Sequence, residues 1–245
     1  MISSIRYAFS FLTILPLGGK ETSSEKLGGA SAWFPLVGYF LGGIYLGIAQ
    51  IFSGKVAEPL ISFLILFMMI VITGALHLDG LADFADSLGG KNREDRLRIM
   101  KDPHKGSLGV IAIILVLLGK ILVIYFLIAQ KQFLGIFLAS GLARFNLPLL
   151  LFTIPYARTK GGTGEIFARN KKLWHLLVAL GTALVPLIYF NQIIIWLALA
   201  FSLSIALVFR ILALRLLGGY TGDLLGACAE ITELALLFFF ACLKP

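Results

Sequence analysis

Charged residues are scarce in this sequence, making up only 14% of its 245 positions. Soluble domains carry about 25% charged and roughly 45–50% apolar residues, whereas this chain is 59% hydrophobic. A soluble fold of this length cannot bury so much apolar surface, so the composition excludes an ordinary soluble enzyme, a disordered chain and a fibrous repeat. It indicates a polytopic membrane protein.

Cysteine is scarcer still, since Cys228 and Cys242 are its two occurrences, both in one apolar C-terminal segment. The pair has neither the spacing of a metal site nor the density of a secreted disulfide scaffold. We therefore expect both thiols to fill lipid-facing or core positions. Repeats at the periods typical of solenoids are also missing, and we assign residues 1–245 to one integral membrane domain.

Long apolar runs are what the sequence has instead, and a membrane crossing needs about 20 mostly apolar residues. The run from Ile5 to Leu17 is too short to cross comfortably and lacks the cleavage site of a signal peptide, so it predicts an interfacial or re-entrant helix. The predicted fold is all-α, a polytopic membrane helical bundle with seven transmembrane spans. These are 34–52, 58–76, 107–129, 133–154, 173–190, 193–216 and 224–243.

Positive charge is distributed unevenly among the connections between these spans. The N-terminal segment and the loops 77–106 and 155–172 hold 14 Lys and Arg residues, whereas the connections on the opposite side hold three. Because Lys and Arg concentrate on the cytoplasmic side of membrane proteins, the rich segments are predicted to be cytoplasmic. The same rule, with contacts to membrane lipids, explains the formal net charge of +8, so no nucleic-acid partner is required.

Three carboxylates, Asp79, Asp83 and Asp86, follow the second predicted span at intervals of four and three residues. On a helix they share one face, where each like-charge pair is destabilised by roughly a few tenths of a kcal/mol. A hard cation such as Mg²⁺ would offset this repulsion, because it binds carboxylate and phosphate oxygens. The alternative is a solvated acidic face, which the apolar residues between the acids disfavour. His77 is either a ligand or phosphate contact, or a packing residue.

Basic residues and glycines follow the acidic segment. The stretch from Lys91 to Arg98 is basic and amphipathic, and contact with anionic lipid explains it fully. The next stretch, from Met100 to Gly109, places glycines beside His104 and Lys105 at the start of a span. Backbone amides and the helix dipole can bind an anion at such a point, so this stretch is a candidate phosphate-binding loop.

Acidic residues also occur in the last predicted span. Asp223 opens it and is either a site residue or a helix N-cap. Glu230 and Glu233 lie deeper, and acids within a membrane helix are costly enough to indicate a function or a buried partner. Structural ion pairs between spans explain Arg144 as well as a phosphate clamp does. The available partners for Glu230 and Glu233 are Arg144 with Asn146, or Arg210 and Arg215.

Several ordered sequence blocks resemble a known family. The run HLDGLADFADSLGG, the loop MKDPHKGSLG and the later GGYTGDLLGACAEITEL resemble the cobalamin-5′-phosphate synthases, or adenosylcobinamide-GDP ribazoletransferases. So do FSFLTILPLG, FPLVGYFLG, ARFNLPLLL and PYAR. The resemblance implies a multi-pass inner-membrane transferase with cytoplasmic active-site loops. It would join adenosylcobinamide-GDP to α-ribazole or α-ribazole 5′-phosphate, with Mg²⁺ as cofactor, giving adenosylcobalamin or its 5′-phosphate and GMP.

The resemblance also implies roles for particular residues. Metal ligands bridging the diphosphate would be Asp79, Asp83, Asp86 and Asp223. The catalytic acids, one of them the base for the ribazole hydroxyl, would be Asp83, Asp86 and Asp102. Substrate contacts would be His77, Lys101, His104, Lys105, Gly106, Arg144, Thr221 and Glu230. Two positions depart from the family pattern, because His104 stands where an Arg is common and Ser87 where a Gly is common.

Two other functions compete with this interpretation. CDP-alcohol phosphotransferases share a core that Asp79 to Ala82 partly matches, but Asp83 replaces the expected Arg and the later spaced aspartates are missing. A cation-coupled transporter would use Glu230, Glu233 and Arg144 at the membrane midplane. The polar residues concentrate at one membrane surface, which favours interfacial chemistry over transport. The sequence leaves homo-oligomer formation open.

Overall fold

The computed structural model describes residues 2–17, 28–158, 161–162 and 164–243. Within these ranges the regular elements are helices and no strand occurs, apart from an isolated bridge between Tyr156 and Tyr220. The all-α prediction is therefore confirmed. Four lysines counted in the charge distribution lie outside the described residues: Lys20, Lys26, Lys160 and Lys244.

The helices follow the predicted spans closely. A 3₁₀ turn at Gly29–Trp33 leads into the second helix, and a π-helical turn at Ala213–Leu217 ends the tenth. In chain order they are α1 (Ile2–Leu12), α2 (Phe34–Phe52), α3 (Glu58–Thr73), α4 (Leu76–Ser87), α5 (Arg93–Ile99), α6 (Ser107–Ala129), α7 (Phe133–Thr153), α8 (Glu165–Arg169), α9 (Leu173–Phe190), α10 (Ile193–Leu212) and α11 (Gly222–Ala241).

Six helices in the described part of the chain are long and apolar enough to cross a membrane, namely α2, α6, α7, α9, α10 and α11. The predicted span 58–76 is different, because α3 has only 16 residues and the chain turns by 86° into α4. Together α3 and α4 form a broken span or a re-entrant loop, which is the seventh apolar segment. The protein is a multi-pass membrane helical bundle.

Two consecutive residues in the left-handed region cause this turn. Gly74 has a φ of 59° and Ala75 a φ of 56°, so regular α-helix cannot continue through them. Their backbone N–H groups donate to the carbonyls of Val71 and Ile70, a common way of closing a helix C-terminus. The helix of the predicted span 58–76 therefore ends three residues early, at Thr73. The break separates the acidic residues from α3 and puts them on a short helix of their own.

The N-terminal helix α1 packs into the bundle. It has 11 residues and buries Tyr7, Ala8 and Leu12. Just beyond it, the Ile14 backbone N–H donates to the Ile72 carbonyl at 2.8 Å and joins this segment to the end of α3. The expected helix, too short to cross a membrane, is therefore present, while its interfacial position stays a prediction.

Glycines allow α4 and α11 to approach each other closely. A Cβ atom at Gly80 would lie 2.9 Å from the Asp223 carbonyl oxygen, and one at Gly226 would lie 3.1 Å from the His77 carbonyl oxygen. Small residues permit such backbone contact between helices in membrane proteins. The contact brings the acidic face of α4 next to the first turn of α11.

Candidate active site

Two carboxylates on α4 share one lysine. The Lys105 ammonium nitrogen lies 2.6 Å from Asp79 Oδ1 and 2.5 Å from Asp83 Oδ1. As their spacing predicts, Asp79 and Asp83 lie on one helix face. The Asp79 side chain is 63% exposed and that of Asp83 only 13%. The positive charge that offsets their repulsion is thus supplied by the chain itself.

Lys105 is a stable cation in this position. Partial burial lowers the pKa of Lys105, but the hydrogen bonds and charges of Asp79 and Asp83 outweigh that effect and raise the pKa above its ordinary value. The site therefore combines two carboxylates with one permanent cation.

The third carboxylate of the triad, Asp86, holds the following loop. Its two oxygens accept the backbone N–H groups of Gly106 and Gly109, each at 2.7 Å. A Cβ atom at Gly106 would lie 2.5 Å from Asp86 Oδ1, and one at Gly109 would lie 2.8 Å from the Ala82 carbonyl oxygen. At Gly109 the contact is with backbone, so only glycine permits this approach, whereas a larger residue at Gly106 would displace the Asp86 carboxylate. The start of α6 is bound to α4 by this contact, and Lys105 is positioned by it.

The first turn of α11 adds a fourth carboxylate. Asp223 Oδ2 lies 2.9 Å from Arg158 Nη2, and the Asp223 side chain is 23% exposed. The N-cap of α11 is Thr221 and not Asp223, because the Thr221 hydroxyl accepts the Leu224 backbone N–H at 3.1 Å. Asp223 therefore has no capping role, and its partner is Arg158, which lies in the basic loop 155–172.

The backbone just before Arg158 is fixed by contacts between segments that are distant in the sequence. The Ala157 N–H donates to the Tyr220 carbonyl and the Tyr220 N–H to the Pro155 carbonyl, both at 2.9 Å. Arg93 donates from Nε to the Leu217 carbonyl at 2.7 Å and from Nη2 to the Ala157 carbonyl at 2.8 Å. The one available signal was the PYAR block, which ends in Arg158.

Three further predicted residues lie on an exposed part of the loop before α6. Lys101 and Asp102 are exposed, and His104 is 91% exposed. Asp102 Oδ1 accepts the His104 backbone N–H at 2.9 Å and lies 2.8 Å from its ring Nδ1. The backbone hydrogen bond, and then the side-chain one, hold the pKa of Asp102 below its ordinary value. These contacts shape the loop, and the structure gives Asp102 no contact with the other carboxylates.

Arg144 and Glu230, predicted as substrate contacts, belong to an ionic network inside the bundle. Lys120 Nζ lies 2.7 Å from Glu230 Oε2 and 2.6 Å from Glu233 Oε2. Arg144 Nη1 and Ser140 Oγ donate to Glu233 Oε1. Of the proposed partners, Arg144 is confirmed, whereas Lys120 was missed. In the ranges that the structure describes, no ion pair joins either glutamate to Arg210 or Arg215.

A cavity of about 150 Å³ adjoins the carboxylates. Asp79 and Asp223 lie on its wall, and so does His77, which is only 5% exposed. The His77 Nδ1 atom is buried and has no hydrogen-bond partner among the residues described. His77 is therefore a buried residue on a cavity wall and not a solvent-facing ligand.

The donor set suits a hard cation that is shared with a substrate phosphate. Among the described side chains, no group of three or more His, Cys, Asp or Glu residues is arranged to hold a metal ion by itself. Asp79 and Asp83 nevertheless direct oxygens at one position, that of the Lys105 ammonium. Mg²⁺ is commonly held by one or two carboxylates together with waters and phosphates. Asp86 instead accepts two backbone N–H groups of the following loop, and Asp223 pairs with Arg158. Asp79 and Asp83, whose oxygens meet at one position, therefore fit this role best.

The fold and this site define a multi-pass membrane protein with a lysine-bridged acidic site at one end of its bundle. The family model described as cobalamin-5-phosphate synthase matches residues 4–241, and the chain belongs to that family.

Similar proteins cover the whole length. The adenosylcobinamide-GDP ribazoletransferase of Syntrophobacter fumaroxidans is 39% identical over 99% of this chain and 100% of its own. Proteins of the same name from Chlorobaculum parvum and Pseudomonas aeruginosa are 39% and 38% identical over 98% of this chain, and 96% and 98% of theirs. No solved structure matches the chain.

Proposed function

We infer that this chain is an adenosylcobinamide-GDP ribazoletransferase acting late in cobalamin synthesis. It transfers the adenosylcobinamide phosphate moiety to α-ribazole or α-ribazole 5′-phosphate, giving adenosylcobalamin or its 5′-phosphate and GMP. Family membership supports the activity. The structural observation that supports the activity most directly is the pair Asp79 and Asp83. Both carboxylates contact the Lys105 ammonium group, and Asp79 lies on the wall of a cavity.

The reaction replaces the phosphoanhydride bond of the diphosphate by a phosphoester bond to ribazole. A ribazole hydroxyl oxygen attacks the phosphorus on the cobinamide side of the diphosphate, and the bond from that phosphorus to the bridging oxygen breaks. The bridging oxygen leaves with the electron pair as part of GMP, and the hydroxyl proton passes to a carboxylate oxygen of the site. Catalysis of such a step depends mainly on positioning and on cations that stabilise the developing oxygen charges.

The chain offers two cations for the diphosphate. Lys105 lies between Asp79 and Asp83, and Arg158 is paired with Asp223. We propose that both turn part of their contacts to substrate phosphates, for which the planar guanidinium of Arg158 is well shaped. The Gly106 N–H donates to Asp86, so its contribution is to place Lys105 and not to bind phosphate.

We propose Mg²⁺ as the cofactor, held by Asp79 and Asp83. When bound, it supplies neutralising charge for the diphosphate oxygens. Asp83 stays a catalytic candidate, since it is the less exposed of the two acids. Asp86 and Asp102 receive positioning roles instead, because their described hydrogen bonds are with the loop between α5 and α6.

We propose that the site faces the cytoplasm from the inner membrane. Its residues come from loops rich in Lys and Arg and from the adjoining helix ends. Lys101→Cys and Lys131→Cys, introduced into a Cys242→Ser background, test this with a membrane-impermeant thiol reagent in spheroplasts. Labelling of position 131 in intact spheroplasts, and of position 101 only after permeabilisation, is expected. The reverse pattern would overturn the orientation.

GMP release tests the activity itself. Purified protein in nanodiscs, supplied with adenosylcobinamide-GDP, α-ribazole and Mg²⁺, is expected to release GMP. Asp83→Asn should lower the rate by about 100-fold or more, because it removes a charge from the reacting centre. Glu94→Gln is the matched control, since Glu94 is 78% exposed and outside the site. Folded wild-type protein that releases no GMP would overturn the assignment.

The buried network weakens the transporter alternative. Glu230 and Glu233 are compensated by Lys120 and Arg144, so two anions meet two cations inside the bundle. The network therefore has no excess negative charge to attract a transported cation, in contrast to the two carboxylates that share Lys105. Ion flux into proteoliposomes without chemical turnover would restore that alternative.

A further inference from the structure

The cavity beside Asp79 and Asp223 is mostly apolar. It lies among α1, α2, α4, α7, α8 and α11, and has a volume of about 150 Å³. Its polar side chains, His77, Asp79 and Asp223, come from α4 and α11. An apolar cavity of about this volume is large enough to bind a benzene ring. A ligand with an apolar ring and a polar group attached to it would match both parts of the wall.

Three phenylalanines from distant parts of the chain form one side of this cavity. The ring centroids of Phe11 and Phe34 are 5.7 Å apart, and those of Phe11 and Phe167 are 5.1 Å apart. Phe34 and Phe167 meet edge to face at 5.6 Å. Clustered aromatic side chains favour flat aromatic ligands, which stack on them or meet them edge to face. The cluster therefore points to a ring and not to an alkyl chain.

His77 provides a second, independent indication of a ligand. It lines the cavity and is 5% exposed, and its Nδ1 has no hydrogen-bond partner within the described ranges. A buried polar atom without a partner is unfavourable, so such atoms are rare in folded proteins. A ligand with one polar ring atom would satisfy the imidazole and fill the apolar space together.

We propose that this cavity binds the heteroaromatic base of the ribazole acceptor, an inference that rests on the proposed function. The base is a benzimidazole, with an apolar fused ring and one unsubstituted ring nitrogen. The fused ring packs against Phe11, Phe34 and Phe167, and the ring nitrogen accepts a hydrogen bond from the His77 imidazole. The attached ribose then lies at the carboxylate edge, where its hydroxyl is needed.

Guanine, the base of the donor substrate, does not suit this cavity. It has several hydrogen-bonding groups around its edge, and a mostly apolar wall would leave most of them without partners. Benzimidazole has one such group to satisfy. The mostly apolar wall thus favours the base of the acceptor over the guanine of the donor, and we expect the donor nucleotide to bind outside the cavity.

Steady-state kinetics with both substrates tests the proposal. Phe167→Leu and Phe167→Ala should raise the KM for α-ribazole by about tenfold or more, since each removes a ring face. The KM for adenosylcobinamide-GDP should stay within about twofold. Phe63→Ala is the matched control, because Phe63 is 58% exposed and outside the cavity wall. A rise in the donor KM instead would assign the cavity to guanine and overturn the proposal.

Measuring the binding of one ligand at a time tests the cavity proposal independently of the proposed activity. Calorimetric titration of the wild-type protein with α-ribazole alone should show binding that His77→Leu weakens, whereas GMP binding should be the same in both proteins. Wild-type protein that binds α-ribazole in this way but releases no GMP would refute the activity and keep the cavity assignment. If the cavity variants keep the melting temperature, the turnover and the α-ribazole binding of the wild-type protein, the cavity assignment alone is refuted.

Discussion

Asp86 Oδ1 accepts the backbone N–H of Gly109 at 2.7 Å, and this bond joins two residues that are 23 positions apart in the sequence. The other oxygen of Asp86 accepts the Gly106 N–H. One carboxylate therefore satisfies two amides at the start of α6, where a helix leaves such groups without intrahelical partners. The ammonium of Lys105, the residue just before them, is thereby directed at Asp79 and Asp83.

Replacing Asp86 by Asn should loosen this loop. The Asn side chain has one acceptor oxygen, so one of the two glycine N–H groups loses its partner, and hydrogen bonds to a charged acceptor are worth about 1.5–3 kcal/mol each. We expect a lower melting temperature and slower GMP release, with Glu94→Gln as control. A variant of unchanged stability that had lost Mg²⁺ affinity would instead identify Asp86 as a metal ligand.

Replacing Lys105 by Met should separate metal binding from turnover. The substitution removes the ammonium that lies between Asp79 and Asp83, so the two carboxylates are left facing each other. Affinity for Mn²⁺, measured by electron paramagnetic resonance without substrate, is expected to rise by about tenfold or more. GMP release should fall, because a phosphate contact is lost. A fall in Mn²⁺ affinity would exclude Asp79 and Asp83 as the metal site.

The ionisation of Lys105 sets an upper limit on the pH range of the site. Its pKa is raised above 10.5, so the contacts with Asp79 and Asp83 are present below that value and are lost as pH rises through the raised pKa. GMP release should therefore show no decline from this group up to a pH of about 9.5. A decline centred below 10.5 that moves upward in Lys105→Arg would contradict the raised pKa.

The buried network should respond to single and paired substitutions differently. Lys120→Met leaves Glu230 without its described cation, and removing one partner of a buried ion pair destabilises by about 3–5 kcal/mol. Adding Glu230→Gln should recover part of the loss in melting temperature. If Lys120→Met kept its melting temperature but lost GMP release, the network would have a substrate role and not a structural one.

The spans were predictable because membrane thickness fixes the length and apolarity of a crossing. The runs 107–129 and 173–190 coincide with α6 and α9 at both ends. The break at Gly74 and Ala75 was not predictable in the same way, since the apolar run continues through it. Ala75 adopts a positive φ that alanine rarely shows, so nothing in its residue type signals the turn.

The site was predictable where its residues share one helix. The spacing of Asp79 and Asp83 determines their common face. Partners from distant segments were not predictable, because they depend on helix packing. Glu230 pairs with Lys120, 110 residues earlier, and Asp223 with Arg158, 65 residues earlier. Cations in apolar spans and basic loops look alike until the packing shows which of them faces an acid.

The 86° turn between α3 and α4 changes how a substrate meets the carboxylates. The turn lets α4 pack along α11, with the His77 backbone next to Gly226 and the Gly80 backbone next to Asp223. The carboxylates of α4 are thereby presented beside the first turn of α11. Seven residues of helix cover about 10 Å, so an extended diphosphate can lie lengthwise along α4 and be contacted at several points at once.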